Sequence, residues 1–276
     1  MLPETARIDR YRLGEEIRAT ELMTELDAVR VDTQHRVTVR LYRASLSQHA
    51  TFVDHFERAC VVQRRLGALV VPVDGAGRSE SGVFVALERV DSPTLSSMRP
   101  ERLAVRDVVE LVYALCTVYA AAHQEGLWLG VDPEAIYVTR QAATVQLAAV
   151  DLFAHALHKS WWLSEWDASA RIVEPRSLEY MPPEQLMNKP LDPRSDVYAL
   201  GVLAYELLTG HKPFPDARGP ANLILAQLKQ TPPRPSELVA EAPPELDAIL
   251  ATCLAKDRNA RFADASALAA AISPMR

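Results

Sequence analysis

Apolar residues follow two different periods along this chain. Over about the first 90 residues they come in short β-branched runs: Val29 and Val31, Val37 to Leu41, Leu69 to Val73, and Val83 to Leu87. Such runs predict strands. Asp32-Thr33-Gln34 separates the first two and predicts a hairpin turn, while Gly75, Gly77 and Gly82 break up the last two. Phe52, Phe56, Ala59, Cys60, Gln63 and Leu66 recur at three-to-four spacing, which predicts one helix over 48–66. The expectation for residues 1–90 is a five-stranded sheet with one helix.

Beyond Asp91-Ser92-Pro93 the period becomes helical. Val105, Val108, Val109, Val112, Leu115, Val118, Tyr119 and Ala122 predict a long, largely buried helix. Two short strands follow, at 135–139 and 144–147, and then an irregular stretch over 151–190 of a length that points to a functional loop. Asp192-Pro193 opens a helix as N-cap and first turn, with Val197, Leu200, Leu203, Ala204, Leu207 and Leu208 on its face and Gly210 at its end. Shorter helices are expected around 220–230, 245–254 and 264–272. Residues 91–276 therefore read as a mainly helical part, joined to the β-rich part near residue 90.

Composition narrows the classes of function. Of 276 residues, 49% are hydrophobic and 24% charged, which suits a packed globular chain and excludes wholesale disorder. A net charge of −6 argues against nucleic acid as a partner. Cys60, Cys116 and Cys253 form no CxxC pair, so a zinc site or disulfide framework is not expected and a reducing, cytoplasmic setting is. With a charged N-terminus and no long apolar run, neither a signal peptide nor membrane insertion is expected, although the chain could be the cytoplasmic part of a larger protein. Glycine is scarce: ten residues, of which only Gly14 precedes Gly67. The first quarter therefore has no glycine-rich loop with which to cradle phosphates.

One stretch carries a resemblance. Ser177-Leu178-Glu179-Tyr180-Met181-Pro182-Pro183-Glu184 and, after a gap, Asp192-Pro193-Arg194-Ser195-Asp196-Val197-Tyr198-Ala199-Leu200-Gly201 resemble the end of the activation segment and the central helix of bacterial Ser/Thr protein kinases. Pro182-Pro183-Glu184 stands where that family has Ala-Pro-Glu, Asp196 at the start of the central helix, and Arg261 where the family has a late arginine. The resemblance implies an α+β, bilobal protein kinase-like fold, and a structural ion pair between Glu184 and Arg261.

Phosphoryl transfer in this family rests on positioning and charge neutralisation, supplied by five parts. The glycine-rich loop is replaced by Gly14 to Glu25, with one glycine and four glutamates. In Val37-Thr38-Val39-Arg40 an arginine stands where the family has lysine, which keeps the charge and changes the shape. In Phe56-Glu57-Arg58-Ala59-Cys60 the helix glutamate position is Ala59. The catalytic loop, His123 to Thr139, is one residue short, has no His-Arg-Asp, and carries Ala135 in place of the metal-binding asparagine, with Asp132 a base only after a local slip. The metal aspartate position is Ala149, or Asp151 if Asp151-Leu152-Phe153 is the motif after a two-residue slip.

These departures predict a degenerate member of the family, a pseudokinase: not an enzyme, with ATP and Mg²⁺ binding not expected and no cofactor. It would act as a protein-binding scaffold or allosteric regulator in bacterial signalling. The alternative is a divergent nucleotide-binding protein or phosphotransferase using Arg40, Asp132 and Asp151. Tyr137, at the adenine-floor position, either fills the pocket or is an ordinary core tyrosine. Trp161, Trp162 and Trp166 on the long loop are the expected surface for a protein partner.

Overall fold

The computed structural model describes residues 7–19, 23–98, 102–141, 144–152 and 178–276. They fall into two compact units, Met1–Asp91 and Ser92–Arg276.

The first unit is an antiparallel sheet of six strands rather than five: β1 (Arg7–Ile8), β2 (Tyr11–Ala19), β3 (Met23–Arg30), β4 (Arg36–Tyr42), β5 (Val73–Ser79) and β6 (Gly82–Glu88), in the order β1-β2-β3-β4-β6-β5. The additional strand is the two-residue β1, too short to carry an alternation in sequence. A short helix α1 (Ala44–Ser47) precedes the expected one, α2 (Ala50–Leu66). Val37 and Val39 are fully buried in a cluster with Tyr11, Leu26, Ala28 and Phe84. The alternate residues of β4 face the other side. There Tyr42 packs on Phe52 and Phe56 of α2, with ring centroids 5.3 and 6.2 Å away.

The fifth strand departs from the sequence expectation. Leu69 ends a 3-10 turn, Gly67–Leu69, and the strand runs over Val73–Ser79, through Gly75 and Gly77 instead of stopping before them. The reason is close approach. The curled sheet brings β5 against β2, where the Tyr11 hydroxyl donates to Asp74 Oδ2 at 2.6 Å and Arg30 donates to Asp74 Oδ1 at 2.8 Å. A Cβ on Gly75 would lie 2.3 Å from that hydroxyl, and one on Gly77 would lie 3.2 Å from the Phe84 ring. Burial first, then the bond to Asp74, pushes the Tyr11 hydroxyl up to about 12, so it stays a donor.

The second unit contains α3 (Leu95–Met98), α4 (Val105–Gln124), a hairpin of β7 (Ile136–Gln141) and β8 (Thr144–Val150), α5 (Pro183–Leu186), α6 (Pro193–Thr209), α7 (Pro220–Lys229), α8 (Pro235–Leu238), α9 (Pro244–Cys253) and α10 (Ala265–Ile272). Helix α6 is buried nearly all round, and α4, α9 and α10 pack on it. Asp192 caps it by accepting the Arg194 N–H at 2.9 Å, and Gly210 closes it at φ 77°. Gly201 is required for packing: a Cβ there would lie 2.5 Å from Cys253 Cβ on α9. Among the described residues, no helix is long and apolar enough to cross a membrane.

Glu184 on α5 and Arg261 form a bidentate pair at 2.8 and 3.0 Å, both buried. Ser195 of α6 donates to Glu184 Oε1 at 2.7 Å, and Arg261 Nε donates to the Ala255 carbonyl at 2.7 Å. Burial pushes the Glu184 carboxyl up. Arg261, aided by Ser195, more than reverses this, so it lies below the usual carboxylate range.

Three outcomes are expected. Glu184→Ala leaves a buried guanidinium unpaired and should cost about 3–5 kcal/mol in urea unfolding. The stability that ionised Glu184 contributes is fully present above the unfolded-state value of 4.5 and is lost as the pH falls through the lower folded value. Glu184→Gln should therefore flatten the acid limb of the stability profile. Separately, Gly201→Ala should destabilise by about 1–3 kcal/mol through overpacking against α9, read as a fall in melting temperature.

Candidate functional site

In the second unit the site is organised by Asp196, a fully buried carboxylate in the first turn of α6. Its Oδ1 accepts the Gly130 N–H at 2.7 Å, and its Oδ2 accepts the Leu129 N–H at 2.8 Å. His123 Nε2 lies 3.0 Å from Oδ2. His123 Nδ1 accepts the Ala265 N–H at 3.4 Å, which leaves Nε2 to donate to Asp196. The segment in place of His-Arg-Asp is held from both sides, because the Tyr119 hydroxyl of α4 donates to the Gly130 carbonyl. Gly130 supplies the positive φ of 63° that this bend requires. Leu127 and Leu129 are buried, and Trp128 is half-buried with its ring 5.9 Å from His123.

The next residues carry the two carboxylates singled out from sequence. Asp132 is half-buried, and its Oδ1 accepts the Glu134 N–H at 2.9 Å, capping a 3-10 turn over Pro133–Ala135. Ala135, at the asparagine position, is buried and offers only a methyl. Strands β7 and β8 pair with Tyr137 opposite Ala149 and Val138 opposite Leu147, so Ala148 is an extra residue in a bulge. Ala149 therefore lies inside the strand, and Ile136 pairs with Val150 as its last residue. Asp151 is the first residue beyond β8, 2% exposed, with its N–H bonded to the Ala135 carbonyl at 2.8 Å. The backbone of Asp151 is thus tied to the turn that Asp132 caps. Tyr137 is half-buried on β7. Trp161, Trp162 and Trp166 lie outside the described residues.

In the first unit, β2 and β3 form a hairpin with irregular register at Leu13, Glu16 and Arg18. Its single glycine serves the sheet itself: a Cβ on Gly14 would lie 3.1 Å from the Asp27 carbonyl. Arg40 is buried on β4, and its Nε donates to Glu25 Oε2 at 2.9 Å. Glu25 stands directly opposite on β3 and also meets Arg18 at 3.4 Å. Ala59 of α2 is fully buried, whereas Glu57 is exposed. No lysine precedes Lys159 in the chain, so every side-chain cation of this unit other than a protonated histidine is an arginine.

Glu25 as the partner of Arg40 was missed in sequence, and so were Tyr119, His123 and Ser195 as supports. Glu25 was within reach: once the turn sets Val29 opposite Arg36, four more residues along each strand put Glu25 opposite Arg40. The others depend on contacts far apart in the chain that no local pattern carries. Among the described residues, no three His, Cys, Asp or Glu side chains cluster as a metal site. Mg²⁺ on a nucleotide asks for less, since one or two carboxylates with phosphate oxygens and water suffice. Asp151 is a donor of the right kind and Ala135 is not.

Comparison with known proteins follows the same outline. A family model described as the protein kinase domain matches residues 167–271. The chain is 29% identical over 234 residues to serine/threonine-protein kinase Pkn1 of Myxococcus xanthus, covering 84% of this chain and 33% of that protein. It is 30% identical over 272 residues to PknB of Mycolicibacterium smegmatis (95% and 42%). It is also 30% identical over 274 residues to PknL of Mycobacterium tuberculosis (97% and 66%). The chain thus spans between 33% and 66% of the length of these relatives. Among solved structures, the PknI kinase domain of Mycobacterium tuberculosis matches with a TM-score of 0.69 at 19% identity, covering 100% of both chains.

These similarities correct one expectation. The reading of the chain as a non-enzyme is overturned, because the matching family and the relatives named as serine/threonine-protein kinases point to an enzyme. That reading scored each family position separately, whereas the described structure has a carboxylate near two of the altered ones, Glu25 on Arg40 and Asp151 just beyond Ala149. The chain has the protein kinase fold and belongs with the bacterial serine/threonine protein kinase-like family.

Proposed function

We propose that this chain is a divergent phosphotransferase of the protein kinase type, which takes a nucleoside triphosphate with Mg²⁺ and transfers the terminal phosphoryl group to a protein hydroxyl. The observation that carries the reading is Asp151: a carboxylate 2% exposed, the first residue after β8 and bonded through its backbone to Ala135. In this reading Asp151-Leu152-Phe153 is the metal motif, and the bulge at Ala148 accounts for part of the slip. Asp151 would hold Mg²⁺ through its carboxylate, and the ion would supply charge neutralisation at the transferred phosphate.

Asp132 accepts the proton of the attacking hydroxyl. The hydroxyl oxygen bonds to the terminal phosphorus as the bridging P–O bond breaks, and the nucleoside diphosphate leaves with that electron pair. With alanine at positions 59 and 135 and no glycine-rich loop, slow transfer is expected. The acceptor is a protein Ser or Thr, in keeping with the relatives' names.

The test is a thermal shift with ATP, with and without Mg²⁺. At a hundred times its dissociation constant, Mg·ATP should stabilise by about 2.7 kcal/mol. Asp151→Asn should abolish both this shift and phosphate transfer to a protein substrate, measured by radiolabel. An equal shift without Mg²⁺, or wild-type transfer by Asp151→Asn, would overturn the assignment.

A further inference from the structure

We propose that Lys256 is an acylation site, whose side-chain amine takes an activated acyl group carried on phosphate or on a thioester. The amine lone pair bonds to the carbonyl carbon. The bond from that carbon to the phosphate oxygen or thioester sulfur breaks, and phosphate or thiolate leaves with the electron pair. The nitrogen gives one proton to water, and an amide remains. The step is independent of phosphoryl transfer.

The chain has five lysines, all from residue 159 onward. Lys189 and Lys229 are exposed, and Lys212 is paired with Glu179 and Glu206 at 3.2 and 2.8 Å. Lys256 sits in a different setting. It is half-buried in the turn after α9, with Nζ 4.5 Å from the centre of the Phe214 ring and 5.4 Å from that of Tyr198. Nζ donates to the Tyr198 hydroxyl at 3.2 Å. Burial pushes that hydroxyl up, so it stays neutral and offers only a lone pair. Among the described residues no carboxylate pairs with Lys256. Asp257, next in the chain, accepts the Asn259 N–H at 2.9 Å, and Glu184 is taken up by Arg261 at 2.8 and 3.0 Å. The Arg261 guanidinium lies over the same Tyr198 ring, 4.8 Å from its centre, so the charge that Lys256 faces is positive. Ring faces favour an ammonium. Burial and then Arg261 outweigh them, and the amine is lowered to about 8. An amine attacks only once it has lost its proton, and desolvation beside another cation brings this about. The residue is also not sealed from solvent, as attack on a small acyl donor requires.

The experiment treats the folded full chain with acetyl phosphate or, in a second arm, with acetyl-CoA, and follows acetyl occupancy at each lysine by peptide mass spectrometry. At pH 8 about half of the Lys256 amines are neutral, against about 0.4% for an ordinary lysine. Lower intrinsic nucleophilicity and half-burial trim that lead, so Lys256 should be acetylated about fivefold faster than Lys189 or Lys229 by at least one donor. The arm that labels it identifies the carrier. The Lys256 rate should level off above pH 8, whereas the rates at Lys189 and Lys229 should climb about tenfold per pH unit. In guanidinium chloride the lead should vanish, because burial and Arg261 produce it. Occupancy at Lys256 no higher than at Lys189 and Lys229 with both donors would overturn the assignment. So would a Lys256 rate that keeps climbing about tenfold per unit above pH 8, or a lead that survives unfolding.

Discussion

A carboxylate with no access to water must be met by donors, and Asp196 sets that demand at the centre of the second unit. Leu129, Gly130 and His123 meet it, from a loop and from the end of α4. Its place in the first turn of α6 adds the favourable end of the helix dipole. The residue before it, Ser195, points its hydroxyl at Glu184 and so reaches the pair with Arg261. Two adjacent residues on one helix therefore fix both the loop before the 3-10 turn and the segment that ends in α5. Removing either carboxylate would strand donors in the interior, which costs more than the bond itself. This explains why these positions match the family while others nearby do not: they are required for folding, whatever chemistry follows.

The first unit solves a different problem with different means. Its cation is held within the sheet, by a cross-strand carboxylate, and the helix contributes aromatic packing through Phe52 and Phe56 against Tyr42. The hairpin that would cover phosphates in a typical family member carries acidic side chains, and its lone glycine is used for close approach to the Asp27 carbonyl. The curl of the sheet brings β5 onto β2 and β3 at Tyr11, Asp74 and Arg30, where glycines on β5 make room.

The helices were the most legible part of the sequence. Helix α6 announced itself through Asp192-Pro193 and Gly210, and α4 through unbroken apolar spacing, because both signals are local. The fold class came from the stretch around Glu184 and Asp196. The strands were less clear. The β5 run was misplaced because its glycines, usually a sign of a break, fill a place where the Tyr11 hydroxyl leaves no room for a Cβ. The site was read least well. Register in β8 depends on a bulge at Ala148 that no residue type marks, so whether Ala149 or Asp151 follows the strand was beyond reach. Taking each altered position as a loss also missed Glu25, whose relation to Arg40 exists only once two strands are paired.

Arg40 has a practical consequence for how such a protein is detected. Reagents that find kinases by acylating the nucleophilic amine beside the nucleotide need a lysine that can lose a proton. A guanidinium stays protonated at any physiological pH and does not form the amide. With no lysine in the first 158 residues, such reagents find no side-chain amine to acylate anywhere in the sheet unit. Labelling of that kind would leave no mark on the side chains of the sheet unit.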